Sequence, residues 1–127
     1  MGDLRRADGT RLAFEQREGR DPALVFLPGY MSDMTGSKAL ALDGWAATQG
    51  RACLRFDYAG CGESDGDFET QTLTGWRDDA LLAIDTMASG PAVLVGSSMG
   101  GWLMLLVALA RPERVAGLVG IAAAPDF

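Results

Sequence analysis

The chain has 127 residues, enough for one domain with a buried core, and 48% of them are hydrophobic. Its net charge of −6 argues against a nucleic-acid-binding face, which needs a basic surface. No apolar run reaches membrane-spanning length, since the longest stops at Arg111-Pro112.

In chain order, Asp8-Gly9-Thr10 reads as a tight hairpin between strands over Leu4 to Ala7 and Arg11 to Glu18. Arg20-Asp21-Pro22 reads as a turn. Ala23 to Leu27 is a continuous apolar strand of the kind found inside a parallel sheet. It runs into Pro28 to Gly36, a loop at the strand's carboxyl end, where sites gather in open α/β sheets. A helix follows over Lys38 to Gln49, capped by Ser37 or Ser32 and ended by Gly50, with Leu42, Trp45 and Ala46 on one face.

Arg51 to Phe56 is the next strand, and Asp57 to Gly66 the loop behind it. The Gly60-Cys61-Gly62 portion lacks a correctly spaced third glycine and an immediate helix. Glu63, Asp65 and Asp67 would repel a pyrophosphate, so a nucleotide role is set aside in favour of glycine turn chemistry. Leu73, Trp76, Ala80, Ile84 and Met87 recur at helical steps, which predicts an amphipathic helix over Thr72 to Ala88. Arg77, Asp78, Asp79 and Asp85 are assigned to its solvated face. Ala92 to Val95 is a strand buried on both faces, Trp102 to Ala110 a helix buried nearly all round, and Val115 to Ile121 a last parallel strand. Two leading strands and a β-α-β-α-β-α-β alternation imply an α/β domain with a mainly parallel sheet and helices on both faces.

Between the buried strand and the apolar helix lies Gly96-Ser97-Ser98-Met99-Gly100, which fits G-x-S-x-G around Ser98. There the backbone turns sharply from strand to helix, and small flanking residues let the two elements approach. The turn lifts the Ser98 hydroxyl clear of the sheet and leaves the Met99 N–H free to stabilise a developing oxyanion. Ser97 is the weaker candidate, because only Ser98 has glycine at both −2 and +2.

With Pro28-Gly29-Tyr30 and the Asp57 to Ser64 loop, this elbow resembles the first half of an α/β-hydrolase, through strand six of the usual eight. The runs Leu27 to Leu40 and Gly96 to Leu105 are more particular and are similar to thioesterase and esterase members of that family from mitochondria and bacteria. The resemblance implies that Ser98 is the nucleophile and that the N–H groups of Tyr30 and Met99 form the oxyanion hole. It also suggests Met31, Met34 and Trp102 as acyl-pocket residues, beside an ordinary packing role for each. The substrate implied is an ester or thioester of a small molecule or an acylated protein, with no cofactor and no metal.

The family also carries an acidic residue after strand seven and a histidine after strand eight. This chain has no histidine, and Asp57, Asp65 and Asp126 do not match the position of the acid. Residues 1–127 are therefore expected to be the N-terminal part of a single hydrolase domain, nearly inactive alone, with Val115 to Ile121 left as an apolar edge. The alternative is a binding or interaction module that kept the fold without a complete triad. Two cysteines make no disulfide framework, and Met1 to Arg6 hold neither a secretion segment nor a myristoylation signal, so the expected location is the cytoplasm.

Overall fold

A computed structural model describes residues 2–30, 32–88 and 90–121. Six strands form one sheet in the order β1-β2-β4-β3-β5-β6, namely β1 Gly2–Arg5, β2 Arg11–Arg17, β3 Arg20–Leu27, β4 Arg51–Phe56, β5 Ala92–Ser97 and β6 Val115–Ile121. The β1, β2 and β4 pairings are antiparallel, and β4, β3, β5 and β6 run parallel. Three helices connect the parallel strands, α1 Ser37–Gln49, α2 Leu73–Met87 and α3 Met99–Ala110.

Residues 23–27 of β3 and 92–95 of β5 are apolar at every position because both faces of these strands are covered. Along β3, Val25 and Leu27 join a core with Leu94 of β5, Phe56 of β4, Trp76 and Ile84 of α2 and Leu103 of α3. The alternate residues Leu24 and Phe26 point the other way, toward Ala46 and Ala39 of α1. The two-residue period of the strands thus assigns α2 and α3 to one face and α1 to the other. Burying each of these large side chains stabilises the fold by about 1.5–3 kcal/mol.

Helix ends follow local chemistry. Gly50 ends α1 in the left-handed conformation, φ 65°, and its N–H bonds the carbonyls of Ala46 and Ala47. Thr72 caps α2 by accepting the Gly75 N–H at 3.0 Å.

Several expectations are corrected. Arg20-Asp21-Pro22 is the start of β3, not a turn: Arg20 pairs with Arg51, and a register shift before Leu24 accommodates the proline. Gly36, without a side-chain bond, occupies the N-cap of α1 in place of Ser37 or Ser32. Trp45 stands 50% exposed and is not part of the buried face. Helix α3 begins three residues earlier than expected and is not buried all round, since Leu109 is 80% exposed. Asp79 is 1% exposed and not solvated, held at 2.6 and 2.9 Å by Arg6 and at 2.9 Å by the Ala59 N–H. The edge position of β6 leaves Leu118 and Val119 largely exposed.

Candidate active site

The carboxyl ends of β3, β5 and β6 meet at the turn at Ser98. Ser98 has φ 56° and ψ −118°, and it is the one non-glycine with positive φ among the described residues. A side chain in that conformation is strained by about 1–3 kcal/mol and persists only where its surroundings enforce it. Here they do. A Cβ on Gly96 would strike the Gly100 carbonyl, and a Cβ on Gly100 would strike the carbonyls of Leu27 and Pro28. The Ser98 N–H donates to the Ile121 carbonyl at 3.0 Å, and the Ser98 carbonyl accepts from the Gly101 N–H at 2.9 Å. Ser97 is buried at the end of β5, whereas Ser98 is part exposed.

The loop after β3 lies against this turn. A Cβ on Gly29 would stand 3.2 Å from the Ser98 Cβ and 3.0 Å from the Ser97 carbonyl oxygen, so glycine allows the close crossing. Tyr30 is the next residue, and its half-exposed ring meets Phe68 edge-on at 5.4 Å. Met99 opens α3 with its side chain in the core. Its N–H belongs to the first helical turn, where no intrahelical acceptor exists. Met31 lies outside the described residues.

Other bonds fix the loop. The Tyr58 hydroxyl donates to the Pro28 carbonyl at 2.9 Å. The Met34 carbonyl accepts from Arg55, and the Met34 N–H donates to the Asp57 carboxylate at 2.7 Å. Asp57 also accepts the Glu63 N–H at 2.9 Å, which joins the loops after β3 and β4. Burial pushes the Asp57 carboxyl above its ordinary range, against the pull of those two N–H groups. A group held so tightly by backbone serves the scaffold.

A cleft of about 210 Å³ opens beside Ser98, walled by Tyr30, Ser32, Asp33, Ser37 and Lys38. Asp33 is engaged by the N–H and hydroxyl of Thr35, which hold its carboxyl below the usual value. Met34 is buried, and Trp102 is part exposed on α3, and neither walls this cleft. The motif around Ser98 was legible in the sequence, whereas Asp33 and Lys38 carried no motif. Their position behind a strand's carboxyl end was the available signal. Larger hollows lie elsewhere, one of about 350 Å³ at the amino ends of β3 and β4 and another of about 430 Å³ beside Arg6 and Asp79, away from any strained residue. Among the described residues no cluster of His, Cys, Asp and Glu could hold a metal ion, and no helix is long and apolar enough to cross a membrane.

The chain is 52% identical over 123 residues to the human mitochondrial palmitoyl-protein thioesterase ABHD10, covering 97% of this chain and 40% of the relative. The structure of mouse alpha/beta hydrolase domain-containing protein 10 superposes with a TM-score of 0.94 at 47% identity, covering 97% of this chain and 49% of that one. A putative hydrolase from Agrobacterium vitis gives a TM-score of 0.89 at 38% identity, covering 98% and 51%. The chain thus spans about two-fifths of the curated relative and half of the two solved structures. The expectation of a cytoplasmic location is overturned by these relatives, since the human, orangutan and bovine proteins are all named as mitochondrial. With the family profile matching residues 24–127, the chain belongs to the alpha/beta hydrolase family.

Proposed function

We propose that Ser98 is the nucleophile of a serine hydrolase acting on acyl esters or thioesters. The observation that carries this reading is the strained, positive-φ Ser98 backbone between two glycines whose places admit no Cβ. The Ser98 hydroxyl attacks the substrate carbonyl and gives its proton to a base. The N–H groups of Tyr30 and Met99 stabilise the tetrahedral oxyanion. The leaving thiol or alcohol departs with that proton, and water then releases the acyl group from Ser98. Met31 and Trp102 are proposed to contact the acyl chain. The human relative is named a palmitoyl-protein thioesterase, which makes a fatty-acyl thioester the first substrate to test. A mitochondrial setting goes with the same reading.

No histidine occurs among the 127 residues. The base and its acidic partner are therefore supplied from outside them, and residues 1–127 form the N-terminal part of one hydrolase domain. Without the base, turnover falls by up to about a million-fold. The missing imidazole also favours a second reading, a binding module on a hydrolase scaffold. Hydrolysis of p-nitrophenyl butyrate separates them, with the region of human ABHD10 beyond the match supplied in trans or by fusion. Turnover abolished by Ser98→Ala supports the hydrolase, and turnover unchanged by Ser98→Ala refutes it.

A further inference from the structure

Lys38 is the chain's sole lysine, and the other ten of its eleven cations are arginines. Each arginine makes a hydrogen bond or ion pair: Arg6 with Asp79 and Arg17 with Asp43, for example, or Arg51 and Arg55 with backbone carbonyls. Arg5, Arg11, Arg20, Arg77, Arg111 and Arg114 are likewise engaged. Lys38 is the exception, an exposed side chain with no such partner among the described residues. It stands in the wall of the cleft that holds Ser98. It is also the second residue of α1, where the helix dipole disfavours a cation and no acidic neighbour in the first turn offsets it.

We propose that Lys38 determines specificity by recognising a carboxylate carried by the ester substrate, a few bonds from the carbonyl that Ser98 attacks. This rests on Ser98 being the nucleophile. The Ser32 and Ser37 side chains line the same cleft, and their hydroxyls are hydrogen-bond donors. The carboxylate of Asp33 shares the cleft but is taken up by Thr35, so it leaves the ammonium unpaired and keeps an anionic substrate to the Lys38 side. The chain's net charge of −6 works against anions at long range. At physiological salt, charges beyond about 8 Å are screened, so the local ammonium decides.

A single lysine makes the test direct, because reductive ¹³C-methylation labels only Lys38 and the N-terminal amine. Titration of the 127-residue chain with 5-oxohexanoate, a ketone that cannot be hydrolysed, should shift the Lys38 signal, and neutral 2-hexanone should not. Equal response to both ketones, or to neither, overturns the proposal. Turnover is then compared with the C-terminal region of human ABHD10 supplied. p-Nitrophenyl hydrogen glutarate against p-nitrophenyl butyrate tests a charge on the acyl side, and the butyryl ester of 4-hydroxybenzoate against phenyl butyrate tests the leaving group. One of the pairs should show a preference of about three- to fivefold in kcat/KM for the charged ester, the scale of an ion pair on a wet rim. The preference should persist in Lys38→Arg, vanish in Lys38→Gln and weaken with salt. A preference unchanged in Lys38→Gln, or absent from both pairs, refutes the role of Lys38. A carboxylate-dependent shift at Lys38 without any Ser98-dependent turnover would instead remove the nucleophile and keep the anion site.

Discussion

The Asp57 carboxylate accepts the backbone N–H of Met34 at 2.7 Å, from a residue 23 positions earlier in the chain. Its other oxygen accepts the Glu63 N–H, and a Cβ on Gly62 would collide with the same carboxylate. One buried acid thus sets the spacing of two loops at the mouth of the sheet. Asp57→Asn turns one acceptor into a donor facing an N–H. The expected cost is about 1–3 kcal/mol, read from urea unfolding. An unchanged midpoint would show that the loops hold their positions without it.

The Arg6–Asp79 pair ties the loop after β1 to α2. Asp79 is 1% exposed on its side chain and Arg6 23%. Arg6 is held above its already high ordinary value by the bond to Asp79, while burial pushes the Asp79 carboxyl up. Removing Arg6 strands the buried Asp79 carboxylate, so Arg6→Ala should cost about 3–5 kcal/mol. The double variant Arg6→Met with Asp79→Leu should recover much of that. A double-mutant cycle by chemical denaturation measures the coupling.

Asp79 also shows what could be read in the sequence. It lies three residues after Trp76 and one before Ala80, inside the apolar stripe, but residue type assigned it to solvent. Its partner Arg6 is 73 residues away, and no local pattern reports such a pairing. Strands and helices were legible because burial imposes their two- and 3.6-residue periods. Helix α3 was legible as a helix but not in phase, since a run apolar at nearly every position hides which side faces out. The turn at Ser98 was readable from its glycines, because their absent Cβ atoms are what the crossing requires. The cleft wall opposite, with Ser32, Asp33 and Lys38, was legible only as a segment behind the carboxyl end of β3, since no residue pattern tells which of its side chains face Ser98.

Two glycines should respond in opposite directions. Gly44 is exposed in α1 with nothing within 4 Å of a Cβ, so Gly44→Ala should stabilise by about 0.5–1 kcal/mol through helix propensity. At Gly100 a Cβ would stand 2.7 Å from the Pro28 carbonyl oxygen and closer still to that of Leu27. Gly100→Ala should destabilise by about 1–3 kcal/mol or more. Thermal unfolding of the two variants checks both signs, and a tolerated Gly100→Ala would show that strand and helix can separate.

Burial raises both thiols, Cys53 and Cys61, to about 11, with Asp43 and Asp57 respectively as the nearest charges adding to the effect. Unfolded thiols ionise near 9, so between those values the unfolded chain binds fewer protons than the folded one. Stability should therefore be level below pH 9 with respect to these groups and fall as the pH rises through 9 to 11. Cys53→Ala with Cys61→Ala should flatten that decline. At pH 7.5, a disulfide reagent should label the folded chain far more slowly than the chain in urea.

The most direct measurement is covalent labelling with a fluorophosphonate, read by mass spectrometry of the peptide containing Ser98. With the C-terminal region of human ABHD10 supplied, one adduct should form on Ser98. It should be lost in Ser98→Ala and be slower by orders of magnitude when the 127-residue chain is treated alone. Labelling that persists in Ser98→Ala, or an adduct on Ser97 in its place, would contradict the assignment of the strained serine as the reacting group.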